Sequence, residues 1–184
     1  QKAKQDQLVV AVSALSGVTD MLLNAGQLAA NKDESFRSVL NEIEKKHFDT
    51  IKALLPILDQ NSILSHCKRS LNTLKTLMEV CFLLGEMTNR TGDSIVSYGE
   101  LLSSYSLVKA FEKDMLDSAF KDSRDLIVTN NQFGHASVDF ELSNRQIREY
   151  FNTHQQRVTI APGFIAAAPD GQTTTLGRGG SDYT

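Results

Sequence analysis

Leu8-Val9-Val10-Ala11-Val12-Ser13-Ala14-Leu15-Ser16-Gly17-Val18-Thr19-Asp20 is the stretch from which the fold can be read. Residues 8–12 form a continuous apolar run rich in valine, which suits a buried parallel strand. Residues 13–17 are small and read as a loop. From Val18 onward, Met21, Leu22, Ala25, Leu28 and Ala29 recur at helical spacing. Strand, small loop, helix is the layout of many phosphate- and anion-binding sites in α/β proteins. By itself the layout is common.

Residues 33–86 read as a largely helical section. Phe36, Leu40, Ile43, His47, Ile51 and Leu54 trace one face, and Pro56 ends or kinks that helix. Leu64, Cys67, Leu71, Leu74, Met78 and Cys81 mark a second long helix. The two suit an antiparallel pair that covers one side of a sheet. Residues 87–93 read as a polar break around Gly92. A helix is expected over residues 94–111, with Ile95, Tyr98, Leu102 and Tyr105 on one side and a polar stripe of Asp93, Ser97, Glu100 and Ser104 on another. On spacing alone, Glu100 reads as solvent-exposed.

Further on, residues 126–129 are expected to be a buried strand and residues 130–140 a polar loop. Ser143-Asn144-Arg145-Gln146 fits a capping box that opens a helix to about Phe151. Residues 158–161 and 164–168 are strand candidates, with a turn at Pro169-Asp170-Gly171. Strands alternating with helices argue for a three-layer α/β/α sandwich with a mainly parallel sheet and a helical section at about 31–86.

The 184 residues suffice for one domain, and 41% apolar residues suffice for a core. A net charge of −3 with no basic stripe gives nucleic-acid binding little electrostatic support. No apolar run approaches the roughly 20 residues of a membrane-spanning helix, so no membrane role is expected. Cys67 and Cys81 read as buried thiols, and the four histidines lack metal-ligand spacing, so no metal site is expected. A cytoplasmic location follows as the default expectation. There is no Gly-x-Ser-x-Gly elbow, and neither cysteine lies near a loop that would activate it.

The chemistry concentrates in Thr173-Thr174-Thr175-Leu176-Gly177-Arg178-Gly179-Gly180-Ser181-Asp182. Its glycines allow close approach of an anion. Ser181 suits a helix N-cap, and Arg178 offers a planar fork of donors. This string resembles the signature loop of the aspartokinases, within the amino-acid kinase superfamily. Residues 10–20 resemble that family's first substrate loop, and Ser97-Tyr98-Gly99-Glu100-Leu101-Leu102-Ser103 resembles its helix with a Gly-Glu pair. Pro162-Gly163-Phe164-Ile165 resembles the segment before the signature.

The resemblance implies transfer of the γ-phosphoryl of ATP, with Mg2+, to the side-chain carboxylate of L-aspartate. That is the first step of lysine, threonine and methionine biosynthesis. It further implies that Arg178 grips the substrate α-carboxylate and Glu100 pairs with its α-ammonium. Thr19 and Ser13 offer hydroxyls to the reacting groups. Gly179, Gly180 and Ser181 hold oxygens, and Asp182 orients a lysine or a magnesium-bound water. The family's opening Lys-Phe-Gly-Gly loop and its nucleotide-base subdomain have no counterpart in this sequence. The chain therefore reads as the N-terminal, aspartate-binding part of a catalytic domain, truncated at both ends and inactive alone. The ATP-base residues are then elsewhere, and the complete enzyme is expected to be a homo-oligomer, free-standing or fused to homoserine dehydrogenase. The rival readings are a non-catalytic amino-acid-binding or interaction module that keeps the kinase loops, and a sister enzyme such as glutamate kinase.

Overall fold

The computed structural model describes residues 7–114 and 116–176. Strand β1 (Leu8–Val12) is followed by three helices that the apolar spacing anticipates: α1 (Val18–Ala30), α2 (Phe36–Leu54) and α3 (Ile57–Leu84). Leu55 is extended and Pro56 stands at the N-cap of α3, so the proline separates the two helices as its missing N–H and fixed φ require. Phe36, Leu40, Ile43, His47 and Ile51 are buried along α2, as are Ile63, Cys67, Leu71, Leu74, Met78 and Cys81 along α3. Leu54, expected on the buried face, is 43% exposed because the helix ends there, and Leu55 is buried instead. Both thiols are free and buried. Burial holds the imidazole of His47 down at about 4, so this core histidine is neutral.

Helix α4 runs Asn89–Lys113, five residues earlier at its start than the spacing predicts. The supposed polar break is its first turn: the Thr88 hydroxyl accepts from the Thr91 amide at 3.2 Å as the N-cap. Gly92 and Asp93 are thus buried helical residues. The stripe of Asp93, Ser97, Glu100 and Ser104, which alone suggests a solvated surface, is at most 4% exposed throughout. Serines are tolerated inside this helix because Ser97 and Ser106 donate back to the carbonyls of Ser94 and Leu102 at 2.7 and 2.8 Å.

Several strands differ from expectation, including Thr173–Thr175, which reads in sequence as part of a loop. Residues 126–129 make only isolated bridges, Val128 with Ala167 and Thr129 with Val138. The strand forms earlier, as β2 (Ser118–Phe120), followed by a 3₁₀ turn at Ser123–Asp125. Helix α5 (Phe140–Thr153) is capped by Asp139, whose carboxylate accepts from the Leu142 amide at 3.0 Å. Ser143 is therefore not a cap. It lies buried inside the helix and accepts from the Val128 amide at 2.9 Å.

Strand β3 (Val158–Pro162) forms the middle of a parallel sheet of order β1-β3-β2, with Leu8 opposite Val158 and Ser118 opposite the same residue. β1 is parallel as expected but not buried. It lies at the edge of this sheet, with Leu8 57% and Val9 52% exposed. β4 (Ile165–Ala167) and β5 (Thr173–Thr175) make an antiparallel pair beside it. The result is an α/β fold with a parallel sheet. Its main core joins α1 to α4, and a smaller one joins Leu126, Ile127 and Ala166 to Ile147 and Tyr150 of α5.

Gly26 on α1 shows how far this packing can give. A Cβ there would stand 2.5 Å from the Met87 sulfur, the far end of a flexible side chain. Gly26→Ala is expected to change stability by no more than about 1 kcal/mol, because the helix-propensity gain of similar size offsets the displacement of Met87. Denaturant unfolding checks this.

Candidate functional site

Three elements converge on the loop between β1 and α1. Gly17, with φ of 78°, turns the chain from strand to helix. Lys46 on α2 donates its Nζ to the carbonyl of Ser16. Helix α4 closes the third side, and its point of closest approach is Gly99. A Cβ at that position would stand 2.9 Å from Ala14 Cβ, 3.2 Å from Leu22 Cδ1 and 3.4 Å from Val18 Cγ1. The absence of a side chain is what lets the helix meet the loop.

That approach buries the next residue. Glu100 is 4% exposed, lies near the Ala14 amide, and has no partner for Oε2 among the described residues. One turn further along, Ser103 donates to the carbonyl of Ser13 at 2.7 Å and so pins the loop beside the carboxylate. Burial pushes the Glu100 carboxyl up to about 7, and the Ala14 amide pulls it back only in part. A buried carboxylate oxygen without a donor costs on the order of 1–3 kcal/mol. It is well placed to accept a cationic group.

Of the other expected site residues, Ser13 is exposed on the loop and Thr19 is half-buried. Thr19 belongs to the first turn of α1, not to the loop, and it follows the Val18 that limits the space at Gly99. Thus Ser13, Glu100 and the start of α1 are brought to one corner. Arg178, Gly179, Gly180, Ser181 and Asp182 lie outside the described residues. Strand β5, which leads toward them in sequence, is tied to α4 by a residue that the sequence reading left unassigned. Asp93 accepts from the Thr175 hydroxyl at 2.7 Å, the Gly134 amide at 2.8 Å and the Thr175 amide at 3.2 Å. The available signal was its spacing, seven residues or two helical turns before Glu100, which puts both carboxylates on one side of α4. Among the described residues, no three His, Cys, Asp or Glu side chains are grouped to hold a metal ion.

A separate cavity of about 570 Å³ lies between α3, α4 and β2, walled by His66, Tyr98, Tyr105, Phe120 and Arg124. Its arginine is already paired: Arg124 Nη2 lies 2.6 Å from Asp122 Oδ2. Among the described residues, the buried carboxylate oxygen left without a hydrogen-bond partner is Glu100 Oε2.

Residues 1–184 match the family model described as "Amino acid kinase family". The chain belongs to the amino acid kinase family. It is 33% identical over 184 residues to the bifunctional aspartokinase/homoserine dehydrogenase 1, chloroplastic, of Arabidopsis thaliana, covering 100% of this chain and 20% of that protein. It is 31% identical to the lysine-sensitive aspartokinase 3 of Escherichia coli, covering 96% of this chain and 38% of that one. The fold matches the crystal structure of E. coli aspartokinase III in complex with aspartate and ADP, with a TM-score of 0.83 at 31% identity over 96% of this chain and 38% of the other. The chain therefore spans only part of these amino acid kinases. No described helix is long and apolar enough to cross a membrane.

Proposed function

We propose that this chain is the aspartate-binding part of an aspartokinase, which uses ATP to phosphorylate the side-chain carboxylate of L-aspartate. The observation that carries the reading is Glu100: a buried carboxylate with a free oxygen, set against the β1–α1 loop by Gly99 in an amino acid kinase whose relatives are aspartokinases. An α-ammonium is the cation that completes it. Arg178 takes the α-carboxylate with its fork of donors, so both charged groups on the α-carbon are held while the side-chain carboxylate stays free.

A carboxylate is already a nucleophile near neutral pH, so the protein's contribution is to position it and offset charge. One side-chain oxygen attacks the γ-phosphorus and forms the acyl–phosphate O–P bond. The bond from that phosphorus to the bridging oxygen breaks, and ADP leaves with the electron pair. The Ser13 and Thr19 hydroxyls donate to the reacting carboxylate or the transferred phosphoryl group. Gly179, Gly180 and Ser181 hold oxygens, and Asp182 orients a cationic partner. Magnesium enters as the companion of the nucleotide phosphates. We assign the enzyme to the cytoplasm and to a homo-oligomeric assembly in its complete form, feeding lysine and threonine biosynthesis.

In the complete enzyme, Arg178→Lys keeps the charge and removes the fork. The expected loss is about 1.5–3 kcal/mol in transition-state binding of aspartate, with ATP affinity nearly unchanged. Steady-state kinetics with L-aspartate and ATP varied separately checks this. Unchanged kcat and KM for aspartate would remove Arg178 from the site.

A further inference from the structure

Resting on the aspartokinase reading above, we propose that Asp93 is a positioning residue for aspartate binding. It clamps the end of strand β5, three residues before Arg178 in sequence, to the same helix that carries Glu100. Asp93 is 3% exposed, yet no lysine or arginine is paired with it among the described residues. Its stabilisation comes from three neutral donors on two other segments: the Gly134 amide on the loop before α5, and the amide and hydroxyl of Thr175 at the end of β5. Burying a carboxylate without a counter-charge is expensive, and three donors converging on it offset that only when their geometry is held.

The clamp is placed where it matters for the reaction. Thr175 is three residues before Arg178, and Asp93 is two helical turns, about 10 Å, before Glu100. Helix α4 thus acts as a spacer between the group that takes the ammonium and the strand leading to the group that takes the α-carboxylate. Neighbouring bonds support the same strand end: Ala136 donates its amide to the Thr175 carbonyl at 2.8 Å, and the Thr129 and Thr174 hydroxyls pair at 2.7 Å. Of these contacts, those of Asp93 alone reach back to α4.

The test uses the complete enzyme and steady-state kinetics with L-aspartate. Asp93→Ala leaves the Gly134 and Thr175 amides unpartnered and is expected to raise the aspartate KM by about 10- to 100-fold, more than it lowers kcat. Thr175→Val, which deletes only the hydroxyl donor, is expected to raise it by about fivefold. Thr175→Ser, which restores the hydroxyl, should return it to within about twofold of wild type. The double variant should be no worse than Asp93→Ala, because both changes break one clamp. If Asp93→Ala does not fold, the valine and serine variants at 175 decide the matter between them. An active wild type whose Asp93→Ala or Thr175→Val variant keeps the aspartate KM while losing thermal stability would overturn the inference alone. A wild type that does not phosphorylate aspartate would overturn the aspartokinase reading and this inference together.

Discussion

Glu100→Gln in the complete enzyme is expected to lower kcat/KM for L-aspartate by about 100- to 1000-fold, or about 3–4 kcal/mol, while thermal stability stays at or above the wild-type level. The two effects separate because the carboxylate is an uncomfortable resident of the free protein. It is 4% exposed, and one of its oxygens lacks a donor. Glutamine keeps the shape and removes a charge that only the substrate ammonium satisfies. A surface glutamate would instead leave both activity and stability unchanged.

The same residue sets a pH dependence. Its folded-state value of about 7 lies above the ordinary 4.5. Glu100 therefore favours the fold fully below pH 4.5, and that contribution is lost as pH rises through about 7. Across that window the loss is about 3 kcal/mol, and Glu100→Gln should flatten it in urea unfolding followed from pH 5 to 8. Substrate binding runs the other way. The ammonium binds the ionised carboxylate, so the aspartate KM should rise by up to about tenfold per unit as pH falls below the folded-state value. Glu100→Gln should lose that slope along with the affinity.

Gly99→Val is the second large effect. The new Cβ alone stands 2.9 Å from Ala14 Cβ and 3.2 Å from Leu22 Cδ1, and the branched methyls add to the overlap. Ala14 sits on a loop held by its neighbours: Ser13 through Ser103, and Ser16 through Lys46. The closest contact, Ala14 Cβ, has no flexible end to swing aside, in contrast to Met87 beside Gly26. The expected destabilisation is about 3 kcal/mol, at the upper end of overpacking costs. Because relief requires α4 to move off the loop, aspartate KM should rise in the fraction that remains folded. Chemical denaturation and kinetics on the same preparation check both halves.

Where the sequence was legible, a strong helical period carried the information. Phe36, Leu40, Ile43, His47 and Ile51 identify α2, and Pro56 marks its boundary with α3. It was misleading where polar residues face inward. Residues 87–93 read as a break because an aspartate beside a glycine looks like a loop until the aspartate's partners on β5 and at residue 134 are known. Ser143 read as a helix cap because a cap and an inward hydroxyl are the same residue type, and only the Val128 amide distinguishes them. Ser118–Phe120 is too short to show any period. At the site, the resemblance singled out Glu100 where spacing suggested a solvated face. Asp93, which no resemblance singled out, needed the structure.

The most direct test of the whole account is acyl-phosphate formation by the complete enzyme, trapped with hydroxylamine, with L-aspartate or succinate as acceptor and wild type compared with Glu100→Gln. Succinate offers the same carboxylate nucleophile without the ammonium that Glu100 is assigned to bind. The account predicts trapped product with aspartate in the wild type, a rate with succinate lower by about 100-fold or more, and a Glu100→Gln enzyme that is slow with both and barely prefers aspartate. No product from aspartate, or the same preference for aspartate in wild type and Glu100→Gln, would contradict it.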